Sequence, residues 1–372
     1  MLSWVHFGDL HASNDDAYHS LDHLKSMVGH VNAHLADRID FAYLPGDNAN
    51  NGTPEQFRRI LGTLRDLSVP LHAIPGDHDF EPGHLNAFVS FTNAPLPASL
   101  IVKGHRCLFL DIVSAGRGGP DFRLSEADRA WLDQELDRSA FDRAPPVVFM
   151  HAYPGDIAEG ESLAYAFAHA NVAIVDTGHT HYNELLNDGW VIYASTRSTG
   201  QIEEDEGQAG FSVVAVDGGA VSWKFHRLDA PYPFVMITQP CDWRLYRRRF
   251  RPGAMDDTPH VRVLVSNDDV VSVTADLSGI PIELKPAGGE AGVWQAPLPA
   301  VSATERMTLS VTARTADGRI GHDEIALPSV SDAGRGATRS ATLGTDAHAV
   351  DAWPEHGITG SQLGPNKNGH GW

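Results

Sequence analysis

The sequence predicts an α/β fold, two sheets covered by helices, followed by an all-β region of immunoglobulin-like type. Three observations lead there. Apolar runs of strand length alternate with helix-period stretches over the first 200 residues, which is the pattern of βα units and a largely parallel sheet. Five of those runs stop at metal-liking side chains, and open α/β sheets carry their sites at the carboxyl ends of strands. Beyond Asp229-Ala230-Pro231 the helical periodicity disappears and short runs alternate apolar with polar residues.

Taken in order, Trp4-Val5-His6-Phe7 reads as the first strand and ends at Gly8-Asp9-Leu10-His11. Ala17 to Asp37 carries Leu21, Leu24, Met27, Val28, Val31 and Leu35 at helical spacing. Phe41 to Leu44 is a second strand, stopping at Gly46-Asp47. Thr53 as cap and Pro54 in the first turn then start a helix with Phe57, Ile60, Leu61 and Leu64 on its apolar face. Leu71 to Pro75 is a third strand, leading into Gly76-Asp77-His78-Asp79. Leu100 to Val113 is strand-like with Gly104 interrupting it, and Ser125-Glu126-Ala127-Asp128 opens a helix with a cap and early acids. Val147 to Met150 precedes His151, Leu163 to His169 is a short helix, and Val172 to Thr177 precedes Gly178-His179-Thr180-His181. Trp190 to Tyr193 and Phe211 to Val216 are strands, and Val221 to Phe225 returns through the hairpin signal Asp217-Gly218-Gly219.

This layout divides the chain into an α/β unit at 1–230, a β-sandwich at 231–329 and a tail at 330–372. Val261 to Val265, Val271 to Ala275 and Thr308 to Ala313 are the strands read in the sandwich, separated by the turns Asn267-Asp268-Asp269 and Asp317-Gly318. Ser331 to Thr345 is small and polar like a linker. Trp353 and Trp372 are unusual in a free tail, so the tail is expected to dock back on the body.

Composition narrows the function. A chain of 372 residues with 42% hydrophobic content buries a sizeable core. The 28 Lys and Arg against 48 Asp and Glu give a formal charge of −20, which repels polyanions and argues against duplex nucleic acid as a partner. Small phosphate esters are less affected, because ions dominate the local field of a metal site. Cys107 and Cys241 are too few for a disulfide framework and read as buried free thiols. No apolar run approaches a membrane span, and the first strand opens without a leader pattern, so no membrane association and a cytoplasmic location are expected.

The strand ends carry the chemistry. Carboxylate, imidazole and carboxylate in succession at Asp77-His78-Asp79 would crowd like charges without a cation. Mixed imidazole and carboxylate shells suit Mn, Fe, Zn or Co. Isolated histidines such as His6, His72, His105 and His169 read as core or surface residues, His84 and Asn50 as candidates to line a pocket, and Glu203, Glu204, Asp205 and Glu206 as a solvated acidic loop.

The ordered set Asp9/His11, Gly46-Asp47, Gly76-Asp77-His78-Asp79, His151 and Gly178-His179-Thr180-His181 resembles the signature of the calcineurin-like metallophosphoesterases, over roughly residues 3 to 200. One position departs, since the family usually has Asn where this chain has Asp77. The resemblance implies a four-layer αββα sandwich holding two metal ions. Asp9, His11, Asp47 and His181 would hold the first, Asp47, Asp77, His151 and His179 the second, with Asp47 shared. Two such ions about 3.5–4 Å apart clamp the attacking and leaving oxygens of an in-line displacement, and the hydroxide between them is the nucleophile. His78 would contact the phosphate and donate a proton to the leaving oxygen, with Asp79 holding its ring. The expected activity is hydrolysis of small phosphodiesters of cyclic-nucleotide or glycerophosphodiester type. A phosphomonoesterase, or a hydrolase of phosphonates and phosphotriesters, is the competing enzyme reading, and a non-catalytic binding module is the reading of another class. A homo-oligomer fixed by the β-sandwich is compatible with all of them.

Overall fold

The computed structural model describes residues 1–117, 120–202, 205–248, 259–300, 305–329, 347–353 and 358–364. Strand β1 (Leu2–His6) leads to helix α1 (Ser20–His30), whose last turns widen into a π-helix at Val31–Leu35. Next come β2 (Phe41–Leu44), α2 (Pro54–Leu64), β3 (Leu71–Ala73) and α3 (Asn86–Thr92). The hairpin of β4 (Ala98–Val102) and β5 (His105–Phe109) precedes α4 (Glu126–Ser139), β6 (Val147–Phe149) and α5 (Gly160–His169). Strands β7 (Ile174–Thr177), β8 (Glu184–Asn187), β9 (Ile192–Ser195), β10 (Gly210–Asp217) and β11 (Ala220–Arg227) complete this part.

The helices start where sequence chemistry sets them. Thr53 accepts from the Gln56 amide while Gln56 reaches back, a full capping box ahead of Pro54, and Ser125 accepts from the Asp128 amide. The helix expected from Ala17 begins only at Ser20, because His19 sits in the left-handed region. Asp16 accepts there from the Leu21 amide at 3.2 Å.

Two sheets result. One has the order β11-β10-β1-β2-β3, with β1, β2 and β3 parallel and the β10–β11 hairpin antiparallel to them. In the other, β9-β7-β6-β5 run parallel between antiparallel edges. Trp4, Phe41, Tyr43, Phe109 and Phe149 fill the space between the sheets, with Phe109 and Phe149 stacked at 4.5 Å. The outer face of the first sheet packs on α1 and α2 through Leu24, Met27, Phe57 and Ile60, and that of the second on α4 and α5 through Leu132, Leu163 and Phe167. The four-layer αββα arrangement is therefore as expected.

The rest is all-β: β12 (Val235–Gln239), β13 (His260–Val265), β14 (Val270–Leu277), β15 (Ile280–Pro286), β16 (Val293–Pro297), β17 (Thr308–Thr315) and β18 (Ile320–Ala326). They form one antiparallel order, β12-β13-β16-β15-β14-β17-β18. Strand β15 gives Ile280–Leu284 to β14 and only Lys285 and Pro286 to β16, so it makes the corner of a rolled sheet. The ends meet where the Ile237 amide donates to Asp323 at 2.7 Å. Bent at β15, this order presents two faces, β12-β13-β16 and β14-β17-β18, and the all-β region is as expected.

A last strand, β19 (His348–Ala349), pairs with β8, and Trp353, Ile358 and Leu363 are buried. The stretch expected as a linker, Ser331 to Thr345, lies outside the described residues, as do Glu203, Glu204 and Trp372. Both cysteines are buried and unpaired. No helix among the described residues is long and apolar enough to cross a membrane.

Candidate metal centre

Loops from both sheets meet at one end of the sandwich. The turns after β1, β2 and β3 bring Asp9, His11, Asp47 and Asp77, and those after β6 and β7 bring His151, His179 and His181. These side chains fall into two groups, Asp9/His11/Asp47/His181 and Asp47/Asp77/His151/His179, each with its ligand atoms within 4.8 Å of one another. Asp47 belongs to both. Its Oδ2 lies 3.4 Å from His151 Nε2 and 3.8 Å from His11 Nε2, and its Oδ1 accepts from the His78 amide at 2.9 Å.

Close approach dictates the glycines. A Cβ on Gly76 would stand 2.2 Å from Asp47 Oδ1, and one on Gly46, at φ +109°, would stand 2.3 Å from His151 Nδ1. His11, Asp47, His179 and His181 themselves take positive φ, between 46° and 69°. Such backbone costs free energy and is held by its surroundings. The His11 amide donates to the Asp47 carbonyl at 2.8 Å and the His179 amide to Asp9 Oδ2 at 2.7 Å.

The residues present fit a pair of cations. Asp9 Oδ1, Asp77 Oδ1 and His151 Nε2 are buried with no hydrogen-bond partner among the described residues, and such atoms are costly unless satisfied. His151 Nδ1 lies 2.8 Å from the Pro45 carbonyl, so it carries a proton and the ring directs Nε2 at Asp47 and Asp77. His11 Nε2 and His181 Nε2 face each other at 2.9 Å, an approach suited to two ligands of one ion.

The charges point the same way. Burial, with Asp47 and Asp77 close by, pushes Asp9 up to about 8 against the pull of His151. Burial, reinforced by His181 and His78, drives His11 down to about 3 although Asp47 opposes it. Burial works against an ionised Asp77 and a protonated His151, yet their contacts with each other, with His179 and with Asp47 hold Asp77 low and His151 well above its ordinary value. Carboxylates this crowded and this buried are relieved by a cation.

His78 is half-buried beside these groups, its ring packed edge-on against His11 at 4.7 Å. The expected partner of His78, Asp79, does something else. Its carboxylate is fully buried and accepts from the amides of Gly76, Asn48 and Ala49 and from Asn48 Nδ2, at 2.8–3.2 Å. It therefore ties the Asp77 loop to the Asp47 loop, and its position one residue after His78 turns it inward, away from that ring. His78 Nδ1 instead lies 2.9 Å from the Asn50 carbonyl and 3.1 Å from Glu81 Oε1. Asn50 thus takes part through its backbone, while His84 is exposed.

Two further contributors carried no signal in the sequence. Phe122 packs its ring edge-on against His179 at 4.8 Å and lies 5.8 Å from His151. Residues 197–199 join the two ends of the first group, since Ser198 N donates to the His181 carbonyl at 3.1 Å and Thr199 N to the Asp9 carbonyl at 2.8 Å.

The model of the calcineurin-like phosphoesterase family matches residues 3–183. A probable cyclic nucleotide phosphodiesterase of Fibrobacter succinogenes is 32% identical over 238 residues, which cover 60% of this chain and 86% of that protein. A probable glycerophosphodiester phosphodiesterase GpdQ of Arcobacter nitrofigilis is 27% identical over 177 residues, 46% of this chain, and the match spans 60% of that relative's length. Among solved structures, the purple acid phosphatase PPD1 of yellow lupin aligns at 16% identity with a TM-score of 0.47, covering 62% of this chain and 52% of that one. With its loop order, its two ligand groups and a relative of this identity and coverage, the chain belongs to the calcineurin-like phosphoesterase family.

Proposed function

We propose that the protein is a metal-dependent phosphodiesterase acting on small diesters of cyclic-nucleotide or glycerophosphodiester type. The observation that carries this reading is Asp47, one carboxylate common to two groups of candidate ligands. The names of the relatives support the diester preference. Asp9, His11, Asp47 and His181 would hold one ion and Asp47, Asp77, His151 and His179 the other, with Mn, Fe, Zn or Co suiting these donors. Bound there, the pair would supply Lewis-acid stabilisation of phosphoryl oxygens and an activated water.

The chain's own groups do the rest. His78 Nδ1, held by the Asn50 carbonyl and Glu81, keeps the ring in one orientation and leaves Nε2 for the substrate. Burial lowers its basicity, but Asp47, the Asn50 carbonyl, Asp77 and Glu81 outweigh it and raise the pKa, favouring a ring that gives up a proton from Nε2 to the departing alkoxide. Asp79 keeps the Asp77 and Asp47 loops together during turnover. Asp77 adds one negative charge relative to the usual Asn and disfavours dianionic monoesters. Asp77→Asn is expected to shift kcat/KM toward monoesters, and an unchanged ratio removes that role. In this scheme residues 1–230 form the catalytic unit, and the all-β unit at 231–329 with the tail supports it.

The test is metal analysis of loaded protein coupled to turnover of bis(4-nitrophenyl) phosphate and 4-nitrophenyl phosphate. Two ions per chain and faster diester cleavage are expected. Two ions with no turnover over a broad ester panel would favour a binding module.

A further inference from the structure

The turn carrying His179 and His181 has positive φ at both residues, 69° and 64°, and needs outside support. It leads through Asn183 into β8, which would be the edge of its sheet but for β19. We propose that Arg197 and the C-terminal strap, residues 347–353 with 358–364, form a buckle that holds this turn against Asp9 and thereby sets the cation affinity of the Asp9/His11/Asp47/His181 group. This rests on reading that group as a metal site and concerns what maintains it.

The strap grips β8 along its length. His348 and Ala349 pair with Asn187 and Leu186, and the Val350 amide donates to the Leu185 carbonyl at 2.9 Å. Trp353 lies under the Arg244 guanidinium at 3.9 Å, and Arg244 donates to the carbonyls of Asp351 and Ala352. Farther on, the Gly364 amide donates to the Asn183 carbonyl at 3.3 Å, two residues after His181. Gly364 is pressed against the Tyr182 ring so closely that a Cβ would stand 1.9 Å from its Cδ1.

Arg197 connects strap and site. Its side chain is fully buried, donates to the carbonyls of Gln362 at 3.4 Å and Gln208 at 3.0 Å, and lies 4.3 Å over the Phe225 ring. Its backbone amide donates to Asn183 Oδ1 at 2.9 Å. The next residue closes the loop, because Ser198 donates from its amide to the His181 carbonyl and from its hydroxyl to the Asp9 carbonyl at 2.8 Å. The strap thus touches both Asn183 and Arg197, and these fix the distance between two candidate ligands of one ion. Arg197 is a positioning residue, since it acts through Asn183 and Ser198.

A strap that only covers a sheet edge would matter for stability and not for a particular ion. Mn(II) titration of the full chain separates the two roles, with ions per chain measured by elemental analysis and the pair identified by its spin-coupled electron paramagnetic resonance signal. Arg197→Ala and a chain ended after residue 357 are expected to weaken one ion of the pair by about 10- to 100-fold, as loss of supporting partners does, and to replace the coupled signal by that of isolated Mn(II). Arg197→Lys should recover part of the loss. Gly364→Ala removes no buried side chain but forces the strap off Tyr182 and is expected to give the same selective weakening, and unchanged far-ultraviolet circular dichroism checks that each variant has folded. Unchanged affinity for both ions in these variants, or equal loss of both, overturns the proposal even if their melting temperatures fall. A native chain that binds fewer than two Mn(II) would instead overturn the metal-centre reading beneath it.

Discussion

The helix-covered sandwich and the rolled all-β sheet both bury continuous apolar clusters, yet their backbones are shaped by different demands. In the sandwich, four candidate ligands, His11, Asp47, His179 and His181, sit in the left-handed region. From Val235 onward the only non-glycine residue with positive φ among those described is Ser278, where it pairs with Gly279 in the two-residue turn between β14 and β15. A hairpin of this type needs that conformation and nothing more. In the first region other such residues, His19, Asn93, Lys103 and Glu159 among them, sit at helix ends and a hairpin turn, but these four gather at one end of the sandwich, whereas in the second region the conformation only reverses the chain. Strain that converges from several loops on one place is therefore the more informative mark of function.

Variants that separate the two regions should differ in what they remove. Asp47→Ala deletes the residue common to both groups and is expected to abolish binding of both ions and lower kcat/KM at least about 100-fold, measured by elemental analysis and diester turnover. His78→Ala should retain both ions while kcat falls about 100-fold, the scale of a lost proton donor. Loss of metal in that variant would place His78 among the ligands. In the rolled sheet, Leu309→Ala should cost about 3 kcal/mol in denaturant unfolding and leave turnover per folded molecule unchanged, because Leu309 is fully buried on β17 and absent from either ligand group.

A smaller effect belongs to the seam between the regions. His226 on β11 is buried against Tyr232 and Phe234, and burial, with His30, Lys224 and His34 nearby and Asp229 opposing them, lowers it from 6.5 to about 3. The folded ring stays neutral while the unfolded chain takes up a proton as pH falls below 6.5. Stability contributed by this group is thus complete above 6.5 and is lost toward pH 3, at up to about 1.4 kcal/mol per unit. Between pH 7.5 and 5 the loss should be about 2 kcal/mol, and His226→Phe should flatten that slope by one proton.

Much of the site was readable because its residue types are specific and their order is fixed by strand ends. The sequence located Asp9, His11, Asp47, Asp77, His151, His179 and His181, and the fold brings all of them to one end of the sandwich. Contacts made at long range were not readable. Asp79 follows His78 directly, so adjacency suggested a pair, while the short 3-10 turn at His78–Phe80 points Asp79 toward the amides of another loop. The β4–β5 hairpin was read as one interrupted strand because Gly104, at φ +84°, looks the same in a bulge and in a reversal. Strand β19 has two residues and pairs with a segment more than 150 positions away, a contact that no local periodicity encodes.

The ligand groups take three members and one from the first sheet and second sheet in one case, and two from each in the other. Any ion bound there would rivet one sheet to the other across their shared interior. Divalent cation concentration then becomes a control on unfolding, with each tenfold excess over the dissociation constant adding about 1.4 kcal/mol per site. Chelation should accordingly loosen the whole sandwich and reach well beyond the loops that carry the ligands.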